Sequence, residues 1–220
     1  MCHVSFDPNT MGIPRKHLHD FISTLKNEIE FSQFGLSSLL VPVSFQVYEE
    51  WIEKGYHGEM DYLRRHLPAK KDVKSVYPFA ESAIVFAFPY FPWPTEVPDH
   101  ATNLRTALYS KGKDYHQWII EKLNTVILNL QRTYTDHQFL AATDSKPVLE
   151  RDLAYRAGLG WVGKNTCLID RKTGSLFFIA EIFCSFKIIE DVPNPYSHDF
   201  CGTCQKCIQI CPTQAIEAER

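Results

Sequence analysis

The chain has 220 residues and a formal net charge of −3, and 45% of its residues are hydrophobic. This length suits one large domain or a domain with a small appendage, and the composition supports an ordinary globular core. The net charge does not indicate a nucleic-acid-binding protein, although local basic patches are not excluded. No apolar run approaches the length of a membrane span, and the N-terminus lacks the regions of a signal peptide. We therefore expect a cytoplasmic protein without a membrane association.

The spacing of apolar residues predicts alternating helices and strands in the first half of the chain. A first helix follows Pro14 and stops near Gly35, because proline suits a first helical turn and glycine ends helices. A short strand over 39–47 leads into a second helix around Trp51. The continuous apolar run over 82–88 is typical of a buried central strand.

The second half continues the alternation after a proline-rich loop over 89–98. A long amphipathic helix begins after Asp114. A strand over 139–143 and a helix over 148–157 follow, and two further strands form a hairpin around 172–174. The pattern predicts an α/β (α+β) domain over 1–185, followed by a small module over 186–220.

Four cysteines in the second module form the most specific motif of the chain. Their spacing, C-x2-C-x2-C-x3-C-P, is the run with which bacterial ferredoxins hold iron–sulfur clusters. The run consists of Cys201, Cys204, Cys207, Cys211 and Pro212. Three thiolates in one tight loop can face one set of irons, and a helix beginning at the proline would carry the fourth away. In ferredoxins that fourth cysteine ligates the other cluster of a pair.

Zinc is the main alternative, because C-x2-C pairs also suit a tetrahedral zinc site. Zinc sites usually separate two such pairs by a longer spacer, whereas these four cysteines lie within eleven residues, so the spacing favours iron–sulfur. A disulfide framework is disfavoured in a chain without a signal peptide. Nothing in their spacing marks Cys2, Cys167 or Cys184 as ligands, and the last two are interpreted as buried structural cysteines.

A second informative block, residues 143–166, combines a carboxyl group with a glycine-rich segment. Asp144 follows a predicted strand, where open α/β sheets present side chains to ligands. Beside an apolar cofactor, desolvation would raise the pKa of this carboxyl and make it a proton donor near neutral pH. From its position alone, a role as the cap of the next helix is equally compatible.

Three glycines at 158, 160 and 163 allow the backbone to approach a bulky ligand, with Lys164 and Asn165 as polar contacts. Their G-x-G-x-x-G spacing follows a helix and precedes a strand, which is the reverse of the dinucleotide fingerprint, so a nicotinamide cofactor is disfavoured. A basic run elsewhere is interpreted first as a solvated helix face and second as a phosphate-contacting patch. This run consists of Arg64, Arg65, His66, Lys70, Lys71 and Lys74.

Together these blocks resemble the epoxyqueuosine reductases, the iron–sulfur and cobalamin enzymes that complete queuosine in tRNA. Residues 58–63, 112–116, 144–166 and 174–175 carry the resemblance together with the cysteine run, in the order of the family. The resemblance implies a mixed α/β domain that holds cobalamin without an axial protein ligand, beside a ferredoxin-like module with two 4Fe-4S clusters. It also implies an activity that removes the epoxide oxygen from epoxyqueuosine in the anticodon stem-loop of tRNA. We expect the protein to be a monomer. An external electron donor would supply the two electrons.

The resemblance also assigns roles to individual residues. Asp144 takes the position of the family's proton donor, and Gly163, Lys164 and Asn165 fall where the family contacts cobalamin, with Trp161 beside them. Lys70 falls near the corrin, where the family usually has arginine. Val73 replaces the proline that usually follows.

The sequence departs from the family at its C-terminal end. The family continues with a second cysteine run, whereas this sequence contains one run, so we expect an incomplete ferredoxin-like module. We also expect the 220-residue protein to hold at most one labile cluster and to reduce little epoxyqueuosine by itself. Two alternatives stay open: a non-catalytic iron–sulfur electron-transfer or binding protein, and a related cobalamin-dependent reductase of a small molecule. The missing export sequence disfavours a dehalogenase-like enzyme of the second kind.

Overall fold

The structure is a computed structural model that describes residues 12–90, 107–110, 112–189 and 199–216. In chain order its strands are β1 (Gly12–Pro14), β2 (Gln33–Ser38), β3 (Ser82–Pro89), β4 (Phe139–Ala142), β5 (Trp161–Val162), β6 (Leu168–Ile169), β7 (Phe177–Cys184) and β8 (Lys187–Ile189). Its α-helices are α1 (Arg15–Thr24), α2 (Lys26–Ile29), α3 (Phe45–Glu53), α4 (Asp61–Arg65), α5 (Leu67–Lys71), α6 (Tyr115–Thr133), α7 (Glu150–Arg156) and α8 (Lys206–Ile210).

A four-stranded antiparallel sheet, in the order β2–β3–β7–β4, forms the centre of the fold. Every residue of β3 from Ser82 to Phe88 is buried, which confirms the central strand that the continuous apolar run predicted. The antiparallel pairing places the chain in the α+β part of the predicted class, because a doubly wound α/β sheet would be parallel.

Each face of the sheet has its own hydrophobic core, because successive strand side chains point to opposite faces. On one face, Ile84, Phe86 and Phe88 pack in a cluster with residues of α1, α2 and α6. On the other face, Val85 packs with Phe183 and with residues of α7.

The first helical region ends earlier than predicted. It ends at Ile29, because Glu30 adopts a left-handed conformation with a φ of 64°. Gly35 does not stop a helix: it lies within β2, opposite Val85. A Cβ at this position would lie 2.1 Å from the Ala157 carbonyl oxygen. The prediction was wrong because close packing of β2 against the end of α7 requires this glycine.

The predicted strand over 39–47 was also wrong. The strand ends at Ser38, and irregular backbone leads from it into α3. Pro42 interrupts the apolar stretch and has no N–H for a strand ladder. Its carbonyl oxygen accepts a hydrogen bond from the Phe45 N–H at 3.1 Å, next to the start of α3. The helix around Trp51 is confirmed as α3.

The second half agrees better with the expectations. The predicted amphipathic helix is α6, and its Asp114 cap accepts the His116 N–H at 2.9 Å. The predicted strand and the helix after it are β4 and α7. The prediction of a two-stranded hairpin around 172–174 was wrong. The strands on either side of this turn pair elsewhere: β6 pairs with β5, and β7 pairs with β3 and β4. The turn itself contains a single bridge between Asp170 and Gly174.

Some expectations concern the chain outside or at the edge of these elements. Residues 91–98 of the proline-rich loop and Cys2 lie outside the described residues. Beyond residue 185, β8 pairs in parallel with β1. The division into units over 1–185 and 186–220 stays a prediction. Within the described ranges, none of the helices has the length and apolar character needed to cross a membrane.

A buried ion pair anchors α7 to the connection after β2. Arg156 Nε donates to Asp152 Oδ1 at 2.6 Å, and both side chains are almost fully buried. Asp152 Oδ2 also accepts the Ser44 N–H at 2.8 Å, and Arg156 Nη1 donates to the Ser38 carbonyl oxygen at 2.7 Å. The pair therefore holds the end of β2, the start of α3 and α7 together.

We predict that Asp152→Asn destabilises the protein by about 3–5 kcal/mol, because the amide leaves a buried guanidinium without its counter-charge. The free energy of unfolding in urea measures the effect. Glu50→Gln is the matched control, since it makes the same chemical change at an exposed residue that contacts Gln46 within α3. We expect the control to stay within about 0.5 kcal/mol of the unchanged protein. Equal effects of the two substitutions would contradict the anchoring role of Asp152.

Candidate functional site

Asp144 lies at the tip of a tight turn between β4 and α7. Its φ is 51°, an uncommon value for a residue other than glycine, and the Ser145 N–H donates to the Thr143 carbonyl oxygen at 2.5 Å. The buried Thr143 hydroxyl donates to the Ile179 carbonyl oxygen at 2.9 Å, which ties the turn to β7. Residues held in such sparsely populated conformations cluster at functional sites. Asp144 does not cap α7, whose N-cap is Leu149.

Two side chains from the start of α6 meet the Asp144 carboxylate. The Tyr115 hydroxyl donates a hydrogen bond to Asp144 Oδ2. His116 Nε2 lies 3.6 Å from the same oxygen, and His116 Nδ1 lies 2.7 Å from Asp114 Oδ1. The bond to His116 lowers the pKa of Asp114. A carboxyl group, a phenol and an imidazole in hydrogen-bonding range are side chains that serve as general acids and bases.

Tyr115 is fixed in place by its ring neighbours. Its ring stacks on His116 at 4.0 Å and on Phe178 of β7 at 4.1 Å between centroids. Burial, followed by the bond to Asp144, raises the pKa of Tyr115 well above its usual range. Tyr115 therefore stays protonated and acts as a hydrogen-bond donor to Asp144.

Two further carboxyl groups lie behind Asp144, and sequence reasoning missed both. Burial, followed by the charge of Asp144, raises the pKa of Glu150 to about 7. Burial also raises the pKa of Glu181 well above its usual range, with contributions from Glu150 and Asp144. The signal for Glu181 was visible: it is the single charged residue within the otherwise apolar strand β7.

Lys70 lies beside this group of carboxyls. Its Nζ donates to the Val148 carbonyl oxygen at 3.3 Å and lies 5.2 Å from the centroid of the Tyr48 ring. Burial lowers its pKa, and the charge of Glu150 opposes this shift. The structure thus places Lys70 next to the loop that connects Asp144 to α7.

Trp161, Gly163 and Asn165 form a second group around β5 and β6. Trp161 is buried, and its indole N–H has no hydrogen-bond partner among the described residues. A Cβ on Gly163 would lie 2.6 Å from Ile169 Cδ1, so close packing against β6 accounts for this glycine without a ligand. Asn165 Oδ1 accepts the Cys167 N–H at 3.2 Å within the local turn.

Lys164 connects this second group to the cysteine loop. Its Nζ donates to the carbonyl oxygens of Gly202 at 2.8 Å and of Cys204 at 3.1 Å. Phe200, just before the loop, packs its ring against Trp161 at 5.0 Å and faces the Arg171 guanidinium at 5.1 Å. The contacts of Lys164 in the structure are therefore with the cysteine loop.

The cysteine run begins in a turn and continues into α8. The Cys204 N–H donates to the Cys201 carbonyl oxygen at 2.9 Å, and Cys207 lies on α8. The expected helix after Pro212 was wrong within the described residues, because α8 precedes the proline and a turn follows it. The Thr213 hydroxyl, followed by backbone amides, lowers the pKa of Cys211 to about 7. Over the described ranges, no three His, Cys, Asp or Glu side chains converge closely enough to hold a metal ion.

An aromatic path leads from the Asp144 turn towards the second group. Phe178 stacks on Tyr115, and the Tyr90 ring lies 4.7 Å from Phe178. Cys167, two residues after Asn165, is near enough to Tyr90 to contribute to the raised pKa of that phenol. A chain of side-chain contacts therefore connects the two groups of predicted site residues.

Comparison with known proteins gives the same family as the motifs. A family model described as epoxyqueuosine reductase QueG, DUF1730, matches residues 70–145. The chain is 38% identical over 168 residues to the epoxyqueuosine reductase of Cyclobacterium marinum, which covers 76% of this chain and 53% of that protein. It is 35% identical over 192 residues to the epoxyqueuosine reductase of Pseudomonas aeruginosa, covering 86% of this chain and 53% of that protein.

The chain is related to the epoxyqueuosine reductases. An epoxyqueuosine reductase in complex with an epoxyqueuosine-modified tRNA-Tyr stem loop has a TM-score of 0.73 at 25% identity, covering 91% of this chain and 53% of that one. The Bacillus subtilis enzyme, determined with its aspartate-bearing catalytic loop swung out of the active site, has a TM-score of 0.71 at 25% identity, with the same coverage. The chain spans about half the length of the curated relatives it matches.

We predict that Lys164→Gln loosens the cysteine loop. A hydrogen bond from a charged donor at an exposed site contributes about 1 kcal/mol, so amides of residues 200–207 should exchange with solvent about fivefold faster. Hydrogen–deuterium exchange followed by mass spectrometry measures this rate in the protein without added cobalamin, iron or sulfide. Lys172→Gln, an exposed lysine in the turn before β7, is the control. Unchanged exchange in Lys164→Gln would show that the lysine does not hold the loop.

Proposed function

We propose that this chain forms the substrate- and cobalamin-facing part of an epoxyqueuosine reductase, with Asp144 as the proton donor. The substrate is epoxyqueuosine in the anticodon stem-loop of tRNA, and the reaction converts its epoxide into the double bond of queuosine. The observation that carries the proposal is the Asp144 turn. In a chain related to these reductases, it presents a carboxyl group in a strained loop beside two proton-bearing side chains.

The exposure of Asp144 suits a residue that meets a macromolecular substrate. Its side chain is 60% exposed, although Tyr115 and His116 restrain it. The Bacillus subtilis relative also has an aspartate on a catalytic loop that can leave the active site. Asp144 is the corresponding candidate here, because it lies on the loop between β4 and α7 within the related region.

The chemistry requires two electrons and two protons for each epoxide. The electrons break the carbon–oxygen bonds and form the carbon–carbon double bond, while the protons convert the epoxide oxygen into water. Asp144 gives a proton to the departing oxygen, which would otherwise leave as a poor anionic leaving group. The Tyr115 hydroxyl holds the carboxylate that remains, and His116, paired with Asp114, favours that negative charge when it is protonated.

The residues around β5 and the Asp144 turn fit cobalamin, which in its reduced form supplies electrons to the substrate. The unpartnered, buried Trp161 N–H is a donor suited to an amide or phosphate oxygen at the edge of the cofactor. Lys70, Gly163, Lys164 and Asn165 are the further residues proposed to line this site. Lys70 would contribute a cation near the Asp144 turn, and Lys164 would connect the site to the cysteine loop.

The four thiols of the cysteine run fit an iron–sulfur cluster by their chemistry, and a 4Fe-4S cluster would pass electrons from an external donor. Cys204 is exposed, and Cys201, Cys207 and Cys211 are partly exposed, so all four can reach a cluster without unfolding a core. The raised proportion of thiolate at Cys211 also favours metal binding, because the thiolate is the ligand form.

We further propose that the protein acts in the cytoplasm as a monomer and contacts tRNA through the basic run. Arg64 and Arg65 are exposed on α4, and Lys71 is exposed on α5, the helix that also carries Lys70. Phosphate contacts of this kind position a nucleic acid without reading its sequence.

We predict that Asp144→Asn lowers the single-turnover rate of epoxyqueuosine reduction about a thousandfold, because the amide cannot donate the required proton. The assay combines the chain, cobalamin, an epoxyqueuosine-bearing stem-loop and a low-potential chemical reductant. The reductant replaces the electron donor, so the assay tests Asp144 and not the clusters. Mass spectrometry of the released nucleoside follows the loss of one oxygen.

The variant should still bind cob(II)alamin, which a spectroscopic titration checks. Asp136→Asn, at an exposed carboxyl between α6 and β4, is the matched control and should keep the original rate. If the rate of Asp144→Asn stays within about tenfold of the rate of the unchanged protein, Asp144 is not the proton donor. If the spectrum of cobalamin in the presence of the protein is identical to the spectrum of the free cofactor, the protein does not bind cobalamin at the proposed site.

We predict that Cys207→Ser retains less than about half of the iron that the unchanged chain holds after anaerobic reconstitution, since one thiolate ligand is lost. Cys167→Ser is the control, because this partly buried thiol lies outside the run. Iron and sulfide counting measures the outcome. Equal iron in the two variants, or zinc without sulfide in the unchanged chain, would contradict the iron–sulfur assignment.

A further inference from the structure

Three carboxyl groups lie at increasing depth behind the surface of the candidate site. The Asp144 side chain is largely exposed. Glu150 is partly buried, and its Oε1 is inaccessible and has no hydrogen-bond partner in the part of the chain that the structure describes. Glu181 is completely buried, and neither of its carboxyl oxygens has a hydrogen-bond partner among the described residues. Native proteins pair almost all buried polar atoms, so these unpartnered oxygens require an explanation.

The fold brings the three groups together. Glu181 lies opposite Ala142 in the β4–β7 ladder, and Asp144 follows two residues after Ala142. Glu150 is the first residue of α7, which packs on β7. The side chain of Glu181 points to the sheet face covered by α7, because it alternates with Ala180 and Ile182 of the opposite core. Glu181 therefore faces Glu150 and Asp144 from within the sheet.

Burial makes the inner two groups hold protons. Removing an ionised carboxylate from water without a partner is far more costly than burying the neutral acid. The neighbouring groups do not reverse this for Glu150. A hydrogen bond from the Asp144 backbone N–H and the charges of Lys70 and Arg151 lower its pKa, but burial and the charge of Asp144 outweigh them and leave the pKa at about 7. Near neutral pH, Glu181 is therefore protonated and Glu150 is partly protonated.

The proposed reaction needs such groups. Each epoxide takes up two protons, and Asp144 holds one at a time. A stem-loop bound over Asp144 would cover its exposed side, so the interior side is where protonated groups remain beside it. His116 also contacts Asp144, but its other nitrogen is paired with Asp114 on the exposed side.

We propose that Glu150 supplies the second proton of the reduction through Asp144, and that Glu181 behind it replenishes Glu150. This inference rests on the proposed function. Asp144 first protonates the epoxide oxygen and becomes a carboxylate. The proton of Glu150 then passes to Asp144, which delivers it to the same oxygen, so that water leaves. The electrons come from the reductant already named, and Glu150 touches neither substrate nor cofactor.

The test compares Glu150→Gln, Glu150→Asp and the control Glu121→Gln, an exposed carboxyl on α6. In the reduction assay, we expect Glu150→Gln to lower kcat about 10- to 100-fold, while KM for the stem-loop stays unchanged. This is less than the roughly 100- to 10,000-fold effect of a direct general acid, because Glu150 acts through Asp144. The rate of the unchanged chain should fall as pH rises above about 7, the pKa of Glu150. This pH dependence should disappear in Glu150→Gln and return, with part of the rate, in Glu150→Asp.

A second measurement does not depend on activity. Because folding raises the pKa of Glu150, its contribution to stability is complete below the unfolded value of 4.5 and is lost as pH rises to about 7. Glu150→Gln lacks this loss. Its urea midpoint, relative to that of the unchanged protein, should therefore be higher at pH 8 than at pH 5, whereas Glu121→Gln should show no such difference.

The outcomes separate the two proposals. Absence of reduction by the unchanged chain overturns the proposed function and, with it, the proton supply. Reduction by the unchanged chain together with an unaltered kcat and pH profile in Glu150→Gln overturns the role of Glu150 alone. A urea midpoint difference that does not change with pH shows that Glu150 holds no proton near neutral pH, and this also overturns the inference.

Discussion

The antiparallel pairing of β4 with β7 is the constraint on which the candidate site depends. It fixes the end of β4 opposite Glu181, and the Thr143 hydroxyl secures the following turn on the Ile179 carbonyl oxygen. β7 also contributes Phe178, against which the Tyr115 ring stacks. One strand therefore positions the turn of Asp144, the hydrogen-bond donor to its carboxylate and the buried acid behind it. A change of register in this ladder by one residue would turn the side chains of β4 to the opposite face and move the Asp144 turn away from Glu181, which β3 also holds in place.

The contacts of Lys164 join the cysteine run to the glycine-rich segment, and this junction bears on electron transfer between them. Two carbonyl oxygens of the cysteine loop are held by a residue of the glycine-rich segment, and Phe200 packs on Trp161 beside it. Electron transfer requires short, fixed distances between redox centres. Lys164 joins the cysteine loop to the segment proposed for cobalamin and would therefore fix the distance between the two redox centres. In this arrangement its amine contacts backbone carbonyl oxygens and does not contact the cofactor.

The sequence predicted the parts of the fold that local patterns determine. The apolar run of β3 and the spacing of α6 need only a two-residue or helical period, and both elements formed as expected. Gly35 was misread, because its requirement comes from Ala157, more than a hundred residues away in the chain. The antiparallel order was not predictable from alternation alone. Asp144 follows its strand as predicted, but β4 is antiparallel to β7, so the ligand-binding edge of a parallel sheet does not explain its position.

In the candidate site, too, local patterns were predictable from the sequence and contacts between distant residues were not. The family resemblance predicted a role for Asp144 from a local motif, whereas Tyr115 and His116 reach its carboxylate through the packing of α6, which no spacing in the sequence reveals. Glu181 was recognisable as a charge within an apolar strand, but its meaning depended on which residues faced it. The glycine at 163 was assigned to ligand approach, and its contact with Ile169 gives a sufficient packing reason for it.

A crystal structure of the chain with cobalamin and an epoxyqueuosine-bearing anticodon stem-loop tests the central claim most directly. The decisive quantity is the distance from the Asp144 carboxyl to the epoxide oxygen. The account predicts hydrogen-bond contact, about 2.6–3.2 Å, with the Tyr115 hydroxyl still bound to the other side of the carboxyl. An epoxide oxygen that contacts a different acidic group, with Asp144 turned into solvent, would contradict it.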